Sequence, residues 1–514
     1  MARLFAALFL ALAFTAPVAA AETWRKAETH HFAIYSNGKE KQLSQFAHEL
    51  ERLDALLRFA WKKEPVENPN RLTIYLLKNA KAVDNLLSMK DTPVAGIYFA
   101  RPEGSFAIGN RKRSNNKGAL TGKQVLFHEY AHHFFFQNFK IPAASWFVEG
   151  FADYVATAEF DDDGHWRLGM ASGPNQLMMA YGGKIAIRDL LTATPFEDKK
   201  WQAFYGWSWG LTHMLYSREQ GRGSKISSYL GLINSGTEPL AAAEQAFGDL
   251  DDLQAALKAH VVKPTTYQKS TVPLTYRDQI SISELPEFDS KVVTHKLQRL
   301  VSPNKEKTLR QLRELVTQNS DNAEAWYQLA EAEYELVHDD DAPNAYDFSA
   351  AKDALEKAIS ADPKHLHANV MMGNVILEAY DHNDDFDDAN WEKARSFYRT
   401  ARDAHPHHPW PLFNLAYSFQ KQGEFSGEIS PAIKTAFEMA PEVGQYRLFY
   451  AQDLASRGEF DEAIKTARII ANNPHGRGKG AQSFINQIET MRDDMLMGHR
   501  DDDEPAGDSN DTND

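Results

Sequence analysis

The chain contains no cysteine. This excludes disulfide stapling, a lipid anchor on a cysteine and any thiolate-held metal, so a metal here must rely on histidine and carboxylate. Positive charge is also in deficit. Lys and Arg number 56 against 71 Asp and Glu, a formal charge of −15, and no basic block is large enough to override it. A nucleic acid or an anionic membrane surface is therefore not the expected partner. Long apolar runs are missing too. Beyond the N-terminus nothing approaches the roughly 18 apolar residues of a membrane helix, so no integral membrane segment is expected after signal cleavage. What remains is ordinary globular composition, 43% hydrophobic and 25% charged, over 514 residues. That is enough for two or three domains, each with its own core.

The first 21 residues read as a signal peptide. Arg3 gives a short basic start and Leu4 to Phe14 an apolar core too short to span comfortably. Ala16-Pro17-Val18-Ala19-Ala20-Ala21-Glu22 then supplies small residues for cleavage after Ala20 or Ala21. A retained N-terminal anchor is the alternative. The expected location is periplasmic or secreted, in a bacterial setting. At the other end, residues 481–514 read as a terminal helix and a disordered acidic tail. Asp501, Asp502, Asp503, Glu504, Asp508, Asp511 and Asp514 crowd a stretch with almost nothing to bury.

Between the ends the pattern changes character once. His31 to Tyr35, Arg71 to Leu77 and Gly104 to Ile108 read as strands. Leu43, Phe46, Leu50, Leu53 and Leu57 recur at helical spacing. From Thr121 to about His260 the periodicity is mostly helical, so residues 22–265 are expected to form one α+β domain. Residues 266–290 are expected to be a linker: Pro273 and Pro286, with Pro264 just before, break the pattern, and a hairpin there could pack back on the first domain.

Residues 291–480 then repeat a phrase. Ala351, Leu355, Ala358 and Asp362-Pro363 correspond to Ala394, Tyr398, Ala401 and His405-Pro406, and to Ile429, Ile433, Ala436 and Ala440-Pro441. Ala463, Ala467 and Pro474 form a looser fourth copy. Partner helices carry Trp326-x-x-Leu329-Ala330, Val370-x-x-Gly373-Asn374 and Leu412-x-x-Leu415-Ala416. This resembles the tetratricopeptide repeat and implies an all-α solenoid of helix pairs that engages a protein partner. His338 to Asp347 and Asp381 to Asp388 lengthen the first two inter-helix loops beyond that pattern.

The chemistry-bearing stretch is Val125-Leu126-Phe127-His128-Glu129-Tyr130-Ala131-His132. Thr121 and Gln124 form a capping-box start, and the helix should run to about Gln137. His128 and His132, four apart, share a helix face and can take adjacent metal positions. Glu129 follows the first of them, beside the metal rather than on it, as a base for water requires. Trp146-Phe147-Val148-Glu149-Gly150-Phe151-Ala152-Asp153-Tyr154 reads as a second helix, brought back by a loop through Pro142. Glu149 supplies the third ligand a catalytic zinc wants, and Asp153, one turn on, can hydrogen-bond a zinc imidazole, that of His128. His133 lies one step round from the metal face, in a structural or supporting place. No third histidine follows at metzincin spacing.

H-E-x-x-H followed by E-x-x-x-D on a second helix resembles the gluzincins. The fuller His128-Glu129-Tyr130-Ala131-His132-His133 with Trp146-Phe147-Val148-Glu149-Gly150-Phe151-Ala152 looks like their bacterial peptidase MA-like members. The resemblance covers roughly residues 24–265 and is specific over 125–157. It implies a zincin-like α+β fold and zinc-dependent hydrolysis of a protein or peptide. It also implies an oxyanion donor from a later helix, Tyr205, with His213 as runner-up. The strand Gly104 to Ile108 would pair with extended substrate, as the edge strand over the zinc does in related peptidases. The expected activity is thus peptide-bond hydrolysis in the cell envelope, with repeats recruiting or positioning a protein. The alternatives are a repeat scaffold whose zinc domain has little turnover, and a zinc hydrolase acting on a non-peptide bond.

Overall fold

The computed structural model describes residues 23–501 except 68–69, 88–95, 113–120, 194–200, 218–222, 339–345, 383–386, 424–428 and 472–477. The expected signal peptide, nearly all of the acidic tail and much of the two long inter-helix loops lie outside the described residues.

The chain starts with β1 (Arg25–Glu28), β2 (Phe32–Ser36), α1 (Glu40–Trp61), β3 (Leu72–Leu77), α2 (Ala80–Leu87), β4 (Ile97–Phe99) and β5 (Phe106–Asn110). There follow α3 (Gly122–Asn138), α4 (Ser145–Val155), β6 (Glu159–Phe160), β7 (Trp166–Leu168), α5 (Gly173–Tyr181), α6 (Ile187–Thr192) and α7 (Trp201–Tyr216). After α8 (Gly223–Asn234), α9 (Pro239–Phe247) and α10 (Leu250–Val261) come the short strands β8 (Gln268–Lys269) and β9 (Ser281–Glu284).

The main sheet has the order β4-β5-β3-β2-β1-β9. β2, β3 and β5 run parallel, with Ile34 opposite Ile74 and Ile74 opposite Ala107, while β4, β1 and β9 pair antiparallel. Alternation sorts the side chains. Leu72, Ile74, Leu76 and Ala107 face the large core shared with α1, α3 and α4, whereas Tyr75, Leu77, Phe106 and Ile108 face a second cluster on the opposite side. In α1 the expected stripe is the buried one. Leu43, Leu50, Leu53 and Leu57 are at most 1% exposed, each stabilising by about 1.5–3 kcal/mol.

Three sequence expectations need correction. The strand expected to receive substrate, Gly104 to Ile108, is not an edge: β5 lies between β3 and β4, and the edge is β4. The stretch 266–290, expected as a linker with a hairpin packing back on the first domain, does pack back on it, but as two separate strands rather than a hairpin. It gives β8 to a small sheet beside β7 and β9 to the far edge of the main sheet. The expected start of the repeats at 291 falls inside α11 (Glu287–Val301), which packs on the sheet through Val293 and Leu297. Ser290 and Thr294 accept hydrogen bonds at 3.0 Å from the backbone and indole N–H of Trp24.

The rest is helical: α12 (Lys305–Gln318), α13 (Ala323–Val337), α14 (Ser349–Ala361), α15 (Leu366–His382), α16 (Asp388–Ala404), α17 (Pro409–Lys421), α18 (Ile429–Met439), α19 (Gly444–Ser456), α20 (Phe460–Ala471) and α21 (Gly478–Asp501). Extensive packing joins neighbours in the chain: α13–α14, α15–α16, α17–α18, α19–α20 and α20–α21. The small residues of the repeated phrase, Ala351, Ala358, Ala394, Ala401, Ala436, Ala463 and Ala467, are 0% exposed. Without Cγ atoms they let the paired helices close up.

Candidate metal centre

The helix α3 starts with the expected capping box: Thr121 Oγ1 accepts from the Gln124 N–H at 3.2 Å and Gln124 Oε1 from the Thr121 N–H at 3.0 Å. The helix buries residues on most of its sides. A buried polar knot that sequence reasoning missed fixes it to α1. Tyr130 donates to Asp54 at 2.6 Å, Arg58 pairs with Asp54 at 2.8 Å, and His31 meets Glu51 at 2.8 Å. Its signal was present in the sequence, since Glu51, Asp54 and Arg58 interrupt the apolar stripe of α1.

α4 crosses beside α3 and is held from behind by α7. A Cβ on Gly150 would stand 2.2 Å from Thr212 Oγ1 and 2.5 Å from the Ser208 carbonyl, so only glycine permits this approach. Glu149 is thereby pressed toward α3, fully buried.

Three side chains meet there. His128 Nε2 and His132 Nε2 are 3.0 Å apart, and Glu149 Oε2 lies 3.4 Å from the first and 3.6 Å from the second. Tetrahedral bonds of about 2.0–2.2 Å place donor atoms about 3.3–3.6 Å apart, so the triangle has about the size of a metal-ligand face. These three form the candidate metal-holding group among the described residues. Asp153 accepts from His128 Nδ1 at 2.9 Å, which leaves Nε2 as the metal-facing nitrogen. The side chain of Asn175 on α5 steadies Asp153 in turn, a contact no sequence pattern announced.

The charges are compatible with a cation. Burial is the largest influence on His128 and lowers its pKa, yet the hydrogen bonds and charges of Asp153 and Glu149 hold it well above the ordinary value. Burial pushes Asp153 up against the pull of His128. Two carboxylates out of water, facing one imidazole with a proton to take, fit a dication.

The remaining expected residues separate cleanly. Glu129 is half-buried on α3. Tyr205, near the start of α7, has its pKa raised by burial first and then by the charges of Glu149, Asp153 and Glu129, so the phenol keeps its proton within their field. His213 lies two turns further along α7, tied into loops. Its Nε2 donates to the carbonyls of Thr266 at 2.8 Å and Gly169 at 3.1 Å, so its Nδ1 accepts from His260 Nε2 at 2.8 Å. Burial lowers its pKa. His133 points away from the metal face and meets Tyr98 of β4 at 3.0 Å, and burial pushes it down to about 3, so the ring is neutral. The chain entering β4 lies over α3: a Cβ on Gly96 would sit 2.3 Å from Val125 Cγ1 and 3.6 Å from Glu129 Cγ.

No family model matches the chain, and no curated protein matches it. Among solved structures it is similar to TTC0263, a thermophilic TPR protein of Thermus thermophilus, at 15% identity over 40% of this chain and 99% of that one, with a TM-score of 0.32. PilF of Pseudomonas aeruginosa follows at 14% identity, 41% and 88% coverage and TM-score 0.32. MamA of Desulfovibrio magneticus RS-1 shows 16% identity, 40% and 97% coverage and TM-score 0.26. At such scores these likenesses say nothing of function. The repeat character of the C-terminal half stands on its own helix pairing.

Proposed function

We propose that this chain is a gluzincin-type zinc peptidase with a zincin-like α+β half, exported to the bacterial periplasm or beyond. The observation that carries this reading is the convergence of His128, His132 and Glu149 on one point, with Asp153 behind His128; Glu129 follows His128 on α3. Two histidines and one carboxylate leave a fourth position open, the donor set of catalytic rather than structural zinc. Zinc bound there would supply Lewis acidity, acidifying water and polarising a scissile carbonyl. Glu129 takes the proton of the attacking water and returns it to the amine that leaves as the C–N bond breaks. Tyr205 donates a hydrogen bond to the oxyanion of the tetrahedral state. Asp153 holds the His128 tautomer. The strand β4, the edge of the sheet among the described residues, rather than β5, offers its outer side to an extended substrate.

A second reading retains the zinc without the turnover, the chain being a protein-interaction scaffold. The helical-repeat half favours it, since stacked helix pairs are the architecture of extended binding surfaces. Glu129→Gln separates the two. The peptidase reading expects zinc content to stay at the wild-type level while cleavage of a peptide library falls by roughly 10²-fold or more. Wild-type cleavage in the variant would refute Glu129 as the base. No cleavage by the zinc-loaded wild type would leave the scaffold.

A further inference from the structure

The inner face of the repeats already holds a piece of this chain. Three residues of the helical half reach the turn between β4 and β5, and a fourth reaches the end of α3. His367, near the start of α15, lies with Nε2 2.9 Å from the Glu103 carbonyl. Because a carbonyl only accepts, the ring donates, and burial keeps it neutral by pushing its pKa down to about 3. Tyr446 on α19 donates to the Pro102 carbonyl at 2.9 Å. Glu442, just before α19, is 5% exposed and takes hydrogen bonds from Asn70 at 3.1 Å and Ser105 at 3.5 Å. Arg447, one residue beyond Tyr446, donates to the Phe136 carbonyl in the last turn of α3 at 3.2 Å. A cation at that end complements the helix dipole.

These contacts lie on the way to the metal centre. The held turn joins β5 to β4, Tyr98 of β4 bonds His133, and His133 adjoins His132. The two carbonyl contacts ignore the side chains of the turn, so they set where its backbone lies.

We propose that the repeats act as a clamp on the β4–β5 turn, and that His367, Glu442 and Tyr446 are positioning residues that set the edge strand beside Glu129. The proposal rests on the reading above that β4 receives the substrate. It makes the repeat half a part of the peptidase site.

The test uses the full-length zinc-loaded chain and two double variants, Tyr446→Phe with His367→Leu and Tyr446→Phe with His367→Gln. Hydrogen exchange is followed at residues 97–110 and across α3 and α4. The first variant loses both donors while keeping bulk. Its β4 amides should exchange roughly tenfold faster with α4 unchanged, the scale for losing two hydrogen bonds. KM for a peptide should rise several-fold at near-constant kcat, with zinc content unaltered. His367→Gln retains a donor and should recover part of both effects. Unchanged exchange at 97–99 in the first variant would overturn the clamp. If protection of α4 collapses as well, Tyr446→Phe alone is read by the same criterion, with a smaller shift. Faster exchange at β4 in a chain that cleaves nothing would uphold the clamp and reject the peptidase reading instead.

Discussion

Two groups of buried histidines can be set side by side. In the candidate metal centre His128 and His132 meet Glu149, with Asp153 behind. On the inner face of the repeats His367 lies 6.1 Å from His408, 5.7 Å from Trp410 and 5.3 Å from Tyr327, ring centre to ring centre. Burial lowers the pKa in both places. Near His367 and His408 it prevails, leaving them at about 3 and about 4, whereas beside Asp153 and Glu149 it is overcome. Histidines alone therefore do not make a cation site. Converging carboxylates do; near His367 the one carboxylate that acts on the ring, Glu324, is already held by Lys296 and His365, and the ring serves as a neutral hydrogen-bonding and stacking surface.

The comparison breaks most readily at Glu149. Glu149→Ala should take bound zinc from about one per chain to almost none and abolish hydrolysis, since two imidazoles alone hold the ion poorly. His408→Ala should leave zinc content untouched. Equal loss in both, by metal analysis, would erase the distinction. Next in size is Tyr205→Phe, expected to lower kcat by roughly 10²-fold with KM and zinc unchanged. His213→Ala should instead spare kcat and lower thermal stability, because it removes the link between α7 and the segments at Gly169 and Thr266. A kcat loss confined to His213→Ala would reverse these roles.

How much of this the sequence revealed depends on the range of the forces involved. The helices of the metal centre were readable because the spacing of His128, His132, Glu149 and Asp153 is a local consequence of helical pitch. The pairing of repeat helices was readable for the same reason, through Ala351, Ala358 and their counterparts. β1 was not, because Arg25-Lys26-Ala27-Glu28 carries one apolar residue and owes its extension to pairing with β2 and β9. Nor was the true edge strand: Ile97 to Phe99 is too short to register as a pattern, and its place is set by β5 and α3. The contacts of His367, Glu442 and Tyr446 with 102–105 span hundreds of residues, and no periodicity encodes them.

Asp153→Asn sharpens the comparison from the carboxylate side. Weakening the hold on His128 should loosen zinc by roughly 10- to 100-fold in a chelator competition, less than losing Glu149. An unchanged affinity would remove Asp153 from the centre. The smallest expected effect is that of pH on the buried carboxyl Glu442. Burial raises it from an ordinary 4.5 to about 7, partly offset by hydrogen bonds and the Arg447 charge. A carboxyl raised on folding stabilises in its protonated form. Its contribution is full below about 4.5 and is lost as pH rises through about 7, at no more than about 1.4 kcal/mol per unit. Arg447, lowered by burial to about 10, stays charged throughout, and Tyr98 and Tyr446 stay neutral. Thermal unfolding should therefore show Glu442→Gln gaining on the wild type between pH 5 and 8. Parallel curves would mean that Glu442 does not titrate in that window.

The most direct test of the metal centre is a zinc-edge X-ray absorption spectrum of the purified full-length chain. The donor set of His128, His132 and Glu149 predicts about one zinc per chain, held by two imidazole nitrogens and carboxylate oxygen at about 2.0–2.2 Å, with a light fourth ligand and no sulfur. A chain that binds no zinc, or a spectrum without two imidazoles, would contradict it.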